Sequence, residues 1–205
     1  MIPFSPVPEP EDFDADCRKK GQQWWTRKMV AVFTGGRVPK SSEYPGYWKA
    51  FRNDLRRGFL GLCGYCAMHV PSGLEQVEHF VGVQEDPSLA YEWSNYRCAQ
   101  SLMNQIKGHR RSGEPQVLDP YNVKDGWFEI LLPSLQLVLT DKIPCSIRPQ
   151  AEFTLRRLKL RDDERLIRQR REWLAMYESG ELTLQGLDKK APLIAQAVRK
   201  RDGIA

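Results

Sequence analysis

The sequence predicts an α+β protein, with a small ββα unit at its centre, helices ahead of it, and a β-hairpin plus helical extension behind it. Three observations carry that expectation. Two short runs rich in aromatic and apolar residues, Cys63 to His69 and Leu74 to Phe80, flank the turn-forming Val70-Pro71-Ser72-Gly73 and read as a hairpin. Ala99 to Ile106 lacks Gly and Pro and sets Leu102 and Ile106 four residues apart, the spacing of one helical face, before Gly108 stops it. From Ala151 onward the apolar residues recur at helical intervals. The expected segments are 1–60 for an N-terminal arm and helices packing on the core, 61–111 for the ββα core, 112–150 for the hairpin extension and 151–205 for a basic helical region.

Taken in order, residues 2 to 12 hold four Pro and three acids, which breaks any helix and predicts an extended arm on the surface. Asp12 or Asp14 is then placed to cap a polar helix over Ala15 to Arg27, docked by Trp24 and Trp25. Stacking of those two rings on nucleic-acid bases is the alternative. Gly35-Gly36 opens a loop that is no phosphate-binding loop, because Gly-x-x-x-x-Gly-Lys is absent. Tyr47 to Phe59 reads as an amphipathic helix with Trp48, Phe51 and Leu55 on one stripe. Trp127 to Leu132 and Leu135 to Leu139, split by Pro133-Ser134, read as a second hairpin. Asp162-Asp163 can cap a helix running to Glu178, and Pro192 can start a last one through Val198.

Composition bounds the function without naming it. With 205 residues, 41% of them hydrophobic and including six Trp and eight Phe, the chain can bury a substantial core, which excludes disorder throughout. A net charge of +5 permits a phosphate-bearing partner without demonstrating one. Five Cys, with no apolar signal segment ahead of them, lead us to expect a reduced, cytoplasmic protein, and no apolar run is long enough to span a bilayer.

The chemistry concentrates between Cys63 and Gly108. Glu78 and Asn104 supply hard oxygen ligands of the kind that Mg²⁺ or Mn²⁺ prefers, completed by water and a phosphate oxygen. His79 alternates with Glu78 along a strand, faces the other way, and is cast as the general base that deprotonates an attacking water. Asn95 would hold the loop and the imidazole in place. Cys63 and Cys66 read first as reduced thiols in a small core, with a residual zinc completed by Cys98, His69 or His109 as the alternative. Asp119, before Pro120, reads as turn chemistry ahead of a cation ligand.

Cys63-x-x-Cys66, Val77-Glu78-His79-Phe80, Tyr91-Glu92-Trp93-Ser94-Asn95-Tyr96-Arg97 and Asn104-x-x-Lys107-Gly108 together resemble the HNH endonuclease family in its His-Asn-Asn form. The similarity extends through Val117-Leu118-Asp119-Pro120 and Gly126-Trp127-Phe128, and it is closest to bacterial HNH proteins of anti-phage and mobile-element settings. The resemblance implies metal-dependent hydrolysis of DNA phosphodiesters at a ββα-metal site, with His79 as base, Asn95 as the structural Asn, and Glu78 with Asn104 on the cation. Gln100 and Met103 stand where many relatives carry a second Cys pair that completes a structural zinc site. Glu78 stands where relatives often have Asp.

Two cationic stretches are the candidate DNA contacts: Lys107, His109, Arg110 and Arg111 directly after the expected ligand, and the helix bearing Arg165 and Arg168. Residues 156 to 171 hold eight Lys or Arg against three acids. No base-reading module is evident, so the expected activity is an endonuclease with little sequence specificity. Its target would be chosen by a partner, and the resemblance implies an ATPase or other defence-system subunit. The competing reading is a non-catalytic DNA-binding or interaction protein that keeps the fold.

Overall fold

The computed structural model describes residues 1–204. It contains seven α-helices and two two-stranded antiparallel sheets, a mixed α+β architecture. The helices are α1 (Lys19–Phe33), α2 (Arg52–Gly58), α3 (Ser101–Lys107), α4 (Arg148–Arg157), α5 (Glu164–Glu178), α6 (Leu184–Lys190) and α7 (Pro192–Asp202). The strands are β1 (Glu75–His79), β2 (Tyr96–Gln100), β3 (Phe128–Leu131) and β4 (Gln136–Leu139). No helix among the described residues is long and apolar enough to cross a membrane.

The central hairpin differs from the one expected. β1 pairs with β2, in the register Glu78 opposite Arg97 and His79 opposite Tyr96, across the loop 80–95. Cys63 to His69 forms no strand. Leu60, Gly61 and Ala67 adopt left-handed backbone angles there, so the chain curls into a knuckle. The knuckle is closed by a bridge between Leu62 and His69 and by bonds from Ala67 N–H to Cys63 O and from Cys63 N–H to Met68 O. The expected helix start also moves, because Ala99 and Gln100 complete β2 and α3 begins at Ser101.

Two buried cores flank this unit. One gathers Phe4, Phe13, Phe51, Leu55 and Phe59 against Trp93 and Tyr96, and full burial of a side chain such as Phe13 is worth about 2–3 kcal/mol. The arm that precedes Phe13 therefore inserts rather than lying on the surface, with Met1 and Phe4 buried and the Trp93 indole donating to Val7 O at 2.8 Å. Neither Asp12 nor Asp14 caps the first helix, which is entered at Phe13 without a side-chain cap; Asp14 pairs with Arg18 and Lys19 instead. Trp24 and Trp25 dock on Tyr44 as expected. At Gly21 the α1 backbone touches the Tyr91 ring so closely that a Cβ would sit 2.1 Å from it. Past the tryptophans α1 leaves the core, and Phe33 is 84% exposed.

The second core joins the Cys63–Cys66 knuckle, Met103, the β3–β4 hairpin and the C-terminal helices through Leu155, Leu166, Leu187, Ile194 and Val198. The β3–β4 hairpin forms where the two apolar runs predict it. Asp163 caps α5 by accepting from Arg165 N–H, and Pro192 opens α7. Tyr47 to Phe59 is helical in two pieces, a 3₁₀ turn over Tyr47–Phe51 followed by α2.

Candidate active site

Strand alternation divides the site. Gln76 and Glu78 point from β1 toward α3, whereas Val77 and His79 point toward the aromatic core. On the α3 side, three- and four-residue helical spacing puts Asn104 and Lys107 on one face, and each meets a different β1 residue. Asn104 Nδ2 donates to Gln76 Oε1 at 2.7 Å, and Lys107 Nζ lies 2.5 Å from Glu78 Oε1. The second carboxylate oxygen of Glu78 accepts from the Tyr65 hydroxyl at 2.6 Å. Burial, followed by the Glu78 charge, raises the Tyr65 phenol well above its ordinary pKa, so it serves as a donor throughout the physiological range.

Lys107 does more than pair with Glu78. Its ammonium also donates to His79 O at 3.0 Å and to Phe80 O at 2.9 Å. The ammonium is thus held by two carbonyl hydrogen bonds and one ion pair, all inside the protein. Glu78 is 2% exposed and Lys107 7%. Lys107, expected at a DNA phosphate, is in this structure a buried counter-ion of the hairpin paired with Glu78.

On the other face, His79 Nε2 lies 2.9 Å from Ala90 O. A carbonyl only accepts, so Nε2 carries the proton in the neutral ring and Nδ1 is the basic nitrogen. Nδ1 has no hydrogen-bond partner among the described residues and is not sealed from solvent. Trp48 and Tyr96 present edge-on contacts to the ring, with centroids 4.7 and 5.0 Å away. Burial lowers the His79 pKa below the usual imidazole value; the Ala90 hydrogen bond and then the Glu78 charge oppose it in part, and Lys107 adds the smallest lowering contribution. The ring is thus neutral at pH 7.

Asn95 fastens the loop that connects the two strands. Its Oδ1 accepts from Val81 N–H at 2.8 Å, and its Nδ2 donates to Val81 O at 3.0 Å and to Leu89 O at 3.1 Å. Its backbone carbonyl accepts from Phe80 N–H at 2.8 Å. Both ends of the loop, and with them Ala90, are held against His79.

The remaining predicted residues spread out. Gln100 Nε2 donates to Cys66 Sγ at 3.3 Å and Met103 is buried in the same core, so an amide and a thioether stand against the Cys63–Cys66 pair. His69 faces Lys190 and Trp173, and Cys98 packs in the aromatic core. Asp119 accepts from the Arg97 guanidinium, at 2.7 Å to Nε, and caps the turn at Tyr121, which is structural chemistry. His109 and Arg111 are exposed, and Arg110 pairs with Glu85 at 2.7 Å. On α5, Arg165 pairs with Asp163 and Arg168 is exposed. The basic helical stretch is less basic outside than its sequence suggests. Arg170 is buried, donating to Leu135, Leu160 and Arg161 carbonyls, and Arg157 clamps the carbonyls of Ile106, Lys107 and His109.

Sequence reasoning missed Tyr65, Gln76, Trp48 and the Ala90 carbonyl. Gln76 was within reach, because it shares its strand face with Glu78 just as Asn104 shares its helix face with Lys107. The other three depend on folding distant in the chain. The chain matches no protein-family model and no curated protein sequence.

Proposed function

We propose that the β1–β2–α3 unit is the centre of a divalent-cation-dependent endonuclease that hydrolyses DNA phosphodiester bonds with little sequence specificity of its own. One observation carries this reading: the His79 imidazole is held by Ala90 O in a single neutral tautomer, on a loop pinned at both ends by Asn95. A structural histidine gains nothing from having its second nitrogen left to water. A general base needs that arrangement, neutral near pH 7 and oriented by a bond to the other nitrogen.

Nδ1 of His79 would take the proton of the attacking water, and Ala90 O would stabilise the imidazolium formed. Glu78 and Asn104 are the residues that would hold Mg²⁺ or Mn²⁺. Glu78 suits a hard cation, because its carboxylate and the His79 and Phe80 carbonyls already surround the Lys107 ammonium, whereas Asn104 would have to leave Gln76 to join them. When bound, the metal would stabilise charge on the phosphorane and the leaving oxygen. Exposed Arg111 and Arg168 are available for backbone contacts. The family resemblance extends the proposal to an effector nuclease of anti-phage defence, working with an ATPase or similar subunit, and the absence of any disulfide among the five Cys supports a cytoplasmic setting.

A second reading has its own support. The Lys107 ammonium neutralises Glu78, and Gln76 engages Asn104, as in a non-catalytic DNA-binding protein that kept the fold. Supercoiled plasmid incubated with Mg²⁺, Mn²⁺ or EDTA, beside His79→Ala, separates the two. The nuclease reading expects cation-dependent nicking that falls about 10²–10⁴-fold in the variant, the range for loss of a general base. Plasmid retardation with both proteins equally inert would leave the binding module standing.

A further inference from the structure

We propose that Lys107 is a built-in latch: its ammonium occupies the seat of the divalent cation, so that Glu78 can bind either Lys107 or a metal ion but not both. The inference rests on the nuclease reading for what the seat is for, but its geometry stands alone.

The seat is built from Glu78 Oε1, 2.5 Å from Nζ, and from His79 O and Phe80 O at 3.0 and 2.9 Å. All three are oxygens and one is anionic: two carbonyls accept from the ammonium and the carboxylate pairs with its charge. Tyr65 fills the other carboxylate oxygen. A divalent ion approaching Glu78 thus finds both of its oxygens already engaged. Lys107 is the last residue of α3, and its backbone carbonyl is clamped by Arg157, so the side chain can leave while the helix end stays fixed.

Charge decides what favours the exchange. With Lys107 seated, carboxylate and ammonium cancel. With a divalent ion seated instead, the Glu78 site carries one net positive charge and the released ammonium adds another. Phosphate is the partner that such a site lacks, so a DNA backbone at the hairpin promotes metal loading, and by linkage the metal promotes DNA binding. In free protein the latch holds the site closed.

The test is Mn²⁺ binding to the full chain without DNA, read by the loss of the free-ion electron paramagnetic resonance signal. Lys107→Met and Lys107→Gln, the latter keeping a donor for the carbonyls, should bind Mn²⁺ at least tenfold tighter than the parent, and adding Glu78→Gln should abolish the gain. Should both Lys107 variants misfold on thermal melting, the parent protein still answers: reductive methylation of Lys107, followed by mass spectrometry, should be slow alone and accelerate severalfold at saturating Mn²⁺. Folded variants with unchanged Mn²⁺ affinity, or a Lys107 equally protected with Mn²⁺ bound, overturn the latch. Plasmid nicking by the parent that His79→Ala abolishes would leave the nuclease reading intact in that event. Tighter Mn²⁺ binding with no nicking by any variant would do the reverse.

Discussion

The two faces of β1 handle polar burial in opposite ways. Glu78 is buried as an ion, and its cost is offset by a lysine, a phenol and a helix packed over it. His79, one residue on, is buried as a neutral ring among aromatic edges, with one nitrogen bonded to a carbonyl. The first arrangement is closed, since removing either ion strands the charge of the other. The second is open, since its remaining nitrogen asks nothing of the protein. A strand only five residues long thus presents a buried ion pair on one side and a carbonyl-bound imidazole on the other.

That contrast predicts unequal costs for removing each group. Glu78→Ala leaves the Lys107 ammonium buried without its carboxylate, and urea unfolding should show a loss of about 3–5 kcal/mol. His79→Ala removes a partly buried neutral ring and one hydrogen bond, and should cost clearly less stability while abolishing the proposed plasmid nicking. Equal losses from the two variants would mean that the faces are not differently built.

Asn95→Ala comes next, because it severs three bonds that hold the loop 80–95 onto β1 and leaves Val81 and Leu89 groups to find water. We expect about 2–3 kcal/mol, together with faster amide exchange at Val81. If Ala90 O thereby loses its hold on His79, the imidazole becomes free to exchange tautomers, visible in its ¹⁵N shifts. Tyr65→Phe is smaller, about 1 kcal/mol, because Lys107 still neutralises Glu78 after the hydroxyl is gone.

How far this contrast could be read from the sequence follows from which contacts are local. The alternation of Glu78 and His79 needs only the strand period, and it places them on opposite faces without coordinates. Asp163 as a cap and the β3–β4 hairpin are equally local signals. The partner of β1 was not legible. Val70-Pro71-Ser72-Gly73 looked like the shorter connection, while β2 pairs across the long loop 80–95 whose closure depends on Asn95. Nor was the identity of the residue facing Glu78. Periodicity says that Asn104 and Lys107 share a face of α3, but only the packing of α3 on β1 decides that Lys107 meets Glu78 while Asn104 meets Gln76. The same limit explains Arg170, a cation in a basic run that three carbonyls draw inside.

The pH dependence is the mildest test and the one that reads the open face alone. Burial lowers the His79 pKa in the folded protein relative to about 6.5 in the unfolded chain. Between those two values the unfolded chain binds the proton and the folded protein does not, so acidification favours unfolding there. The stability contributed by a neutral His79 is therefore complete above about 6.5 and lost as pH falls toward the folded value. Urea unfolding of the parent and of His79→Gln at a series of pH values from 7.5 downward should diverge in that window, with the parent losing more. The same downward shift lowers the pH at which the imidazole takes up its proton, so on the proposed nuclease reading the acid limb of plasmid nicking should lie under the ordinary imidazole midpoint. A limb centred above 6.5 would mean that the ring is stabilised as a cation, which the Ala90 carbonyl alone could not achieve against its burial.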